Sequence, residues 1–138
     1  MSALRATLTI THDELLRLVP HRPPMLLLDR IDELVRGVHG RATKLLTEPL
    51  ASTLVIDALG QVAIAVLSVE GAREAAVWYL ASLETLELGL PARTGETLHL
   101  EASVDRIWKT TARMTLRASV PRGRDVVKGT MVLSNHHT

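Results

Sequence analysis

One carboxylate interrupts a long apolar stretch of the sequence. Asp57 lies within Leu50–Val69, with Thr53 four residues before it and Gln61 four residues after it. Side chains four residues apart share a face of a helix, so a helical segment would align these three as one polar stripe. A carboxylate in apolar surroundings is costly unless it is paired, hydrated or used. Two interpretations stay open: a carboxylate facing a cleft beside an amide that donates a hydrogen bond, or an Asp satisfied by the backbone or by a partner chain.

The histidines offer one candidate base and no metal site. His21 stands between Pro20 and Arg22 and is either a general base or a structural hydrogen-bonding residue beside a tight turn. No two histidines have metal-ligand spacing, and the tail pair His136–His137 cannot fill a metal shell alone. Because the sequence also has no glycine-rich phosphate loop and no Ser or Cys nucleophile motif, we predict neither metal nor cofactor. The remaining histidines are expected to be ordinary surface residues: His12, His39 and His99.

Basic residues cluster in the last third of the chain. The simple interpretation is a solvated face. The alternative is a basic patch for a phosphopantetheine phosphate, a coenzyme A nucleotide or an acidic carrier protein, with Arg113 and Arg117 in contact with the ligand. The cluster comprises Arg106, Lys109, Arg113, Arg117, Arg122 and Arg124.

Composition limits the possible functions. A length of 138 residues fits one domain, 1–138. Aromatic residues make up only 2% and Phe is absent, so the core must be aliphatic and a pocket in it would suit alkyl chains. A net charge of +1 argues against nucleic acid or an anionic membrane as partner, and the lack of cysteine fits a reducing compartment such as the cytoplasm. Leu50–Val69 could span a bilayer by length, but a central Asp costs about 2.5–3.5 kcal/mol there, so we predict a buried helix.

The hydrophobic pattern predicts one long helix on a curved antiparallel sheet, an α+β fold. Thr11 and Glu14 form a capping-box pattern that begins a first helix, and Pro20 ends it. Ser52 or Thr53 caps the central helix, which runs to about Val69. Alternation of apolar and polar residues predicts antiparallel strands with one packed face. The predicted strands cover residues 25–34, 38–46, 75–83, 98–104, 112–120 and 126–133, with a loop at 91–95 and a turn at 121–125.

Three segments together resemble the bacterial 3-hydroxyacyl-[acyl-carrier-protein] dehydratases. Residues Leu18–Arg30 closely resemble the opening "LLPHRxPxLLxDR" of that family. Thr47–Pro49 resembles its "NEP" motif, and Val55–Gln61 resembles its central-helix motif "IxEALAQ". The strand order from Trp78 to Leu133 also follows the family, so the resemblance covers nearly the whole chain.

The resemblance implies a hotdog fold, in which a long helix is wrapped by a sheet that continues into a second subunit. It implies an acyl chain on phosphopantetheine at the dimer interface. A His of one subunit and a Glu or Asp on the helix of the other would remove water from the 3-hydroxyacyl thioester. Asp57 occupies the position of that acid. Backbone groups at the helix N-terminus, Ser52, Thr53 and Leu54, would polarise the thioester carbonyl.

The chain departs from the family at the catalytic histidine. In the family this residue lies in a "GHFPGxPxMPG" segment between "NEP" and the helix, whereas here Glu48–Leu54 runs directly into the helix. His21 matches only the "PHR" motif. Three functions therefore remain open: an atypical dehydratase with another base, such as His21 or a residue of a partner; a hotdog thioesterase that uses Asp57 with Gln61; or a non-catalytic protein that binds acyl carriers or is the partner subunit of an active dehydratase. For each of them we expect a homodimer or a heterodimer with another hotdog chain.

Overall fold

A computed structural model of the chain describes residues 7–19, 26–68 and 77–136. These ranges contain two α-helices and seven strands, with a 3₁₀ turn at Pro121–Gly123 between the last two strands. In chain order the elements are β1 (Thr7–Ile10), α1 (His12–Leu18), β2 (Ile31–Val35), β3 (His39–Leu45), α2 (Ser52–Ser68), β4 (Val77–Leu88), β5 (Thr97–Trp108), β6 (Thr111–Val120) and β7 (Arg124–His136).

The strands form one antiparallel sheet in the order β1-β2-β3-β5-β6-β7-β4. Alternate residues of the central strands are buried against α2, while their neighbours point to the opposite face. On β6, for example, Met114 and Leu116 are buried and Arg113 and Thr115 are exposed. The predicted arrangement of one long helix on an antiparallel sheet is confirmed.

Close contact with β3 fixes the position of α2 on the sheet. A Cβ placed on Gly40 would lie 2.8 Å from Val66 Cγ2 and 3.2 Å from Val62 Cγ1, so only glycine lets the strand approach this closely. The backbone N–H of Gly37 also donates to the carbonyl of Val66 at 3.1 Å. The C-terminal half of α2, residues 61–67, is consequently buried throughout.

Both helix predictions are close to the structure. Thr11 and Glu14 form the predicted capping box, with a bond of 3.0 Å from the Thr11 amide to Glu14 Oε1, and these bonds lower the pKa of Glu14. Helix α2 starts at Ser52, but the carbonyl of Ala51 accepts its first bonds. Ser52 and Thr53 therefore lie in the first turn and not at the cap. No helix within the described ranges is long and apolar enough to cross a bilayer.

The strand predictions differ from the structure at their ends. Residues 26–30 are not strand, so β2 begins only at Ile31, and β1 was not predicted at all. Strands β4, β5 and β7 extend beyond their predicted limits because pairing in the sheet continues through polar residues that break the apolar pattern. The predicted site residue His21 lies outside the described residues.

Candidate functional site

Asp57 is an exposed carboxylate on the N-terminal half of α2. Among the described residues it makes no hydrogen bond and no ion pair. The sequence predicted a carboxylate on a helix that is buried on most sides. The structure buries Val55, Ala58 and Leu59 on one side of this half of the helix but leaves Thr53 and Asp57 open to solvent. Asp57 is thus free to contact a ligand or a second chain.

The N-terminus of α2 lacks a side-chain cap. Ala51, at the cap position, has no side-chain oxygen, and no described residue accepts from the backbone N–H of Ser52 or Thr53. The N–H of Leu54 does bond to the carbonyl of Ala51, at 2.9 Å. Free amides at a helix N-terminus carry partial positive charge and favour an oxyanion. Asp57 lies one helical turn, about 6 Å of rise, beyond Thr53.

Gln61 is a buried residue that supports the structure around the site and does not lie on its exposed surface. Its side chain is fully buried, and Oε1 accepts a bond of 2.9 Å from the backbone N–H of Leu27. The predicted polar stripe is therefore divided: Thr53 and Asp57 face solvent, while Gln61 holds the segment that precedes β2. The predicted role of Gln61 as a donor beside Asp57 stays a prediction.

None of the histidines with described side chains points toward α2 from the sheet. His39 lies on the outer face and contacts Glu33 Oε1 at 3.1 Å, and His99 is exposed on the same outer face of β5. Arg41 Nη2 also donates a hydrogen bond of 2.8 Å to Glu33 Oε1. The bond from Arg41 lowers the pKa of Glu33 most, and the bond from His39 lowers it further. His12 is exposed in the first turn of α1. No group of three potential metal ligands occurs in the described ranges.

The connection from β3 to α2, residues 46–51, is short and contains no histidine. Leu46 is buried, its N–H donates to the carbonyl of Glu96 at 3.0 Å, and its carbonyl accepts from Gly95 at 2.8 Å. The loop 89–96 thereby anchors Leu46, at the start of the connection that leads to α2. Arg124 fixes this loop in turn by donating to the carbonyl of Leu90 at 2.8 Å and to Glu96 at 3.1 Å.

The basic residues of the last third lie on β5, on β6, at the start of β7 and in the turns between these strands, and Arg106 is opposite Arg113 in the β5–β6 register. Arg113 pairs with Glu84 at 2.9 Å, and Arg117 pairs with Asp125 at 2.6 Å, which raises the pKa of Arg117. Arg106 lies over the ring of Trp108, 5.0 Å from its centre, at the β5–β6 turn. Arg122 is at the opposite end of β6. Contact of Arg113 and Arg117 with a ligand stays a prediction, and such a ligand would compete with Glu84 and Asp125.

Strand β4 forms a long edge of the sheet that the sequence analysis did not identify. It has 12 residues, pairs only with β7 among the described elements, and carries half-exposed leucines. An edge with free backbone groups and apolar side chains is a template for pairing with another chain. The signal in the sequence was the apolar spacing along residues 80–90. The exposed leucines of β4 are Leu80, Leu83, Leu86 and Leu88, and the exposed Leu90 lies just beyond the end of the strand.

Several solved structures share the fold of this protein over most of its length. The dehydratase heterocomplex ApeI:P from Xenorhabdus doucetiae superposes with a TM-score of 0.75 over 90% of this chain and 91% of that one, at 15% identity. A hot-dog-like protein from Thermanaerovibrio acidaminovorans gives 0.64 over 75% and 84%, at 19% identity. A hypothetical thioesterase with coenzyme A from Streptococcus pneumoniae gives 0.61 over 78% and 85%, at 16% identity. The protein therefore has the predicted hotdog fold.

Sequence relatives narrow the class to one family. The 3-hydroxyacyl-[acyl-carrier-protein] dehydratase FabZ of Roseiflexus castenholzii is 31% identical over 89% of this chain and 94% of its own length. FabZ of Clostridioides difficile is 30% identical over 88% and 94%. No protein-family model matches the sequence. The chain belongs to the FabZ family of 3-hydroxyacyl-[acyl-carrier-protein] dehydratases, as its motifs predicted.

Proposed function

We propose that the protein binds an acyl thioester carried on phosphopantetheine, with the thioester at the N-terminus of α2 and Asp57 beside it. The observation that carries this proposal is the free carboxylate of Asp57 one turn from the uncapped amides of Ser52 and Thr53. The N–H groups of these two amides are suited to donate hydrogen bonds to a thioester carbonyl oxygen as negative charge develops on it. The names of the FabZ relatives support a 3-hydroxyacyl chain on acyl carrier protein as the substrate class, and the similar fold of a thioesterase solved with coenzyme A supports coenzyme A as an alternative carrier.

Dehydration at this site requires two groups, a base and an acid. A base removes the proton from C2, and the amides of Ser52 and Thr53 stabilise the enolate oxygen. The carboxyl group of Asp57 passes a proton to the C3 hydroxyl. The C3–O bond breaks, water leaves, and the C2–C3 double bond forms. Asp57 supplies only the acid, so the reaction needs a base from elsewhere.

We infer that the base is a histidine of a second hotdog chain that pairs along β4. The connection 46–51 contains no histidine, and the described His39 and His99 lie on the outer face of the sheet. The exposed leucines of β4 favour a protein partner over solvent. The similar fold found in the ApeI:P dehydratase heterocomplex supports a partner that is a different chain. His21 remains a second predicted source of the base.

The test is to purify the chain with a hotdog chain that keeps the histidine segment, and to assay dehydration of a 3-hydroxyacyl thioester by the complex. We expect Asp57→Asn to lower the rate at least about a hundredfold, as for loss of a general acid. Asp13→Asn, at an exposed position in α1, is the matched control and should leave the rate unchanged. Equal rates for the wild type and Asp57→Asn would show that Asp57 has no catalytic part.

A thioesterase is the second candidate. The observation that favours it is that Asp57 and the uncapped helix N-terminus occur together without a described histidine nearby, an arrangement that suffices for a carboxylate to activate water against a polarised thioester. The chain alone should then hydrolyse acyl-CoA, and Asp57→Asn should abolish the hydrolysis. No release of free CoA by the wild-type chain would exclude this function.

A further inference from the structure

The three aromatic residues of the chain lie together at one end of the sheet. Trp108 on β5 is opposite Thr111 on β6, which is opposite Ser134 on β7. Ser134 in turn is opposite Tyr79 on β4. Trp108 and Tyr79 therefore end one row across four strands, and they are 42% and 48% exposed, whereas the third aromatic residue, Trp78, is buried. Two large amphipathic side chains are thus exposed at the same level of the sheet.

The β5–β6 turn at this end of the sheet is basic. Residues 106–113 contain no Asp or Glu and three cations, Arg106, Lys109 and Arg113. The guanidinium of Arg106 lies over the ring of Trp108, 5.0 Å from its centre. Neither Arg106 nor Lys109 makes an ion pair with a described residue. Two cations next to an exposed indole are therefore available to an anionic partner.

Lys109 has a backbone conformation that glycine would adopt more easily. It is the first of the two residues between the paired Trp108 and Thr111, and its φ is +53°. The backbone N–H of Asn135 donates to the carbonyl of Thr110 at 2.8 Å, which fixes the turn to β7. Two-residue hairpin turns favour Gly, Asn or Asp where φ is positive. The chain thus carries a cation at the tip where the local structure favours glycine.

Apolar side chains project from both faces of this turn. Ile107 is opposite the buried Ala112, so it lies on the face of the sheet that packs against α2, yet it is 46% exposed. Trp108, the next residue of the strand, points to the outer face. One flat protein surface would cover only one of these faces, and a stable protein interface uses about 20–30 residues on each side. A lipid surface that receives the end of the sheet contacts both faces at once.

We propose that this end of the sheet, the aromatic rim formed by residues 106–109 and Tyr79, docks on an anionic lipid surface. The side chains of Ile107, Trp108 and Tyr79 enter the interfacial layer, where Trp and Tyr are enriched in membrane proteins. Arg106 and Lys109 bind the lipid phosphates, because cations near an anionic leaflet are attracted to it. The net charge of +1 is an average over the chain, whereas the cations of the rim are concentrated at the point of contact.

The aromatic rim is separate from the proposed thioester site. Leu45, next to the connection that leads to α2, is paired with Thr97 at the start of β5. Strand β5 then runs from Thr97 to Trp108, a distance of about 36 Å. Docking at the rim therefore leaves the N-terminus of α2 open, and the failure of either proposal leaves the other unaffected.

The experiment measures cosedimentation of the full chain with vesicles of phosphatidylcholine alone and of equal parts phosphatidylcholine and phosphatidylglycerol. We expect binding to the mixed vesicles to be at least about tenfold tighter, with a blue shift of tryptophan emission as Trp108 leaves water. Trp108→Ala should weaken this binding by about tenfold and remove the shift. Lys109→Gly should weaken it by about fivefold. The same variant should unfold at a higher temperature, because glycine relieves the positive φ, so weaker binding by it is not a loss of folding.

Arg122→Gly is the matched control. Arg122 is also an exposed cation at a positive φ, +74°, but it lies in the turn after β6, at the opposite end of that strand. The substitution removes the same charge and relieves the same kind of backbone conformation. The length of β6, about 30 Å, exceeds the Debye length of about 8 Å at physiological salt, so vesicle binding should change by less than about twofold.

Three results would overturn the inference. Absence of binding of the wild type to the mixed vesicles would show that the rim does not recognise anionic lipid. Equal weakening by Lys109→Gly and Arg122→Gly would mean that the charge of the whole chain, and not the rim, draws it to the vesicles. Self-association of the lipid-free chain that Trp108→Ala abolishes, seen by sedimentation velocity, would assign the rim to a protein contact.

Discussion

The side-chain oxygen of Gln61 accepts a hydrogen bond of 2.9 Å from the backbone N–H of Leu27, which ties the segment before β2 to the middle of α2. Leu26 and Leu28 on either side of this bond are buried in the core. Residues 26–30 do not form a strand, so this bond takes the place of the backbone hydrogen bonds that a neighbouring strand would supply. Asp57 lies on α2 four residues, about one helical turn, before Gln61. The bond therefore links the candidate site to the segment that resembles the family's opening motif.

Replacing Gln61 by leucine should destabilise the protein. The substitution keeps the bulk but leaves the N–H of Leu27 without its acceptor in a partly buried place, a loss of about 1–3 kcal/mol. Urea unfolding measures the change in free energy, and hydrogen exchange should show reduced protection at Leu27. Met131→Leu, a swap of similar volume at a buried position, is the control and should leave exchange at Leu27 unchanged. Unaltered protection of Leu27 in Gln61→Leu would contradict the role of this bond.

Asp57→Asn should change the free energy of unfolding much less than Gln61→Leu, the substitution one helical turn away. Asp57 is exposed and has no partner among the described residues, so the free energy of unfolding should change by no more than about 0.5 kcal/mol. The measurement is the same urea titration. A loss of more than about 1 kcal/mol would mean that Asp57 is a structural residue, and the proposal for the site would lose its basis.

The difference between Asp57 and Gln61 shows what the sequence could and could not predict. Spacing correctly predicted the helix and the capping box of α1, because both depend on residues close in the chain. Exposure depends on which strands cover each turn of α2, and that is decided by sheet order. Within the N-terminal half of α2, Val55, Ala58 and Leu59 are covered whereas Thr53 and Asp57 are exposed, and the C-terminal half is covered throughout.

The register of the sheet also could not be predicted from the sequence. Alternation identified the polar face of β6 but not the partners of its arginines. Arg113 meets Glu84 of β4, and Arg117 meets Asp125 at the start of β7. Such pairs follow from the order of strands and not from local sequence. The same is true of the free edge, since no local pattern states that β4 is the last strand.

Alanine should have opposite effects at two glycines. A Cβ on Gly129 would lie 2.3 Å from the carbonyl oxygen of Thr85, so Gly129→Ala must displace β4 from β7 and should cost about 1–3 kcal/mol. Gly60→Ala meets open space and should stabilise the helix by up to about 1 kcal/mol. Thermal and urea unfolding of the two variants give the comparison. Destabilisation by Gly60→Ala would show that a contact with this glycine is needed for folding.

Acid should weaken the loop 89–96, which anchors Leu46 between β3 and α2. The N–H of Arg93 donates to Glu96 at 2.6 Å, and this bond, followed by Arg124, lowers the pKa of Glu96 below its usual 4.5. A lowered carboxyl pKa stabilises the folded state above the unfolded value, and the contribution is lost as the pH falls through the lowered value. Between about pH 6 and about pH 3, Glu96→Gln should lose less stability than the wild type.

The control for the acid experiment is Glu48→Gln. Glu48 is exposed and makes no ion pair among the described residues, so this variant should follow the wild-type dependence on pH. If Glu96→Gln and the wild type lose stability in parallel over this range, the bonds to Arg93 and Arg124 do not contribute to the fold.

A lysine on the free edge should disrupt assembly. Leu86 on β4 is 41% exposed, and pairing of a second chain along this edge would bury it. Leu86→Lys places an ammonium group there, whose desolvation costs several kcal/mol, so the dissociation constant of the assembly should rise by more than about tenfold. Ile107→Lys is the matched control, because Ile107 is 46% exposed at the β5–β6 turn and away from the edge. Sedimentation velocity over a concentration series measures both. Dissociation by Leu86→Lys alone identifies β4 as the interface, whereas an unchanged dissociation constant would remove the support for a base supplied across this edge.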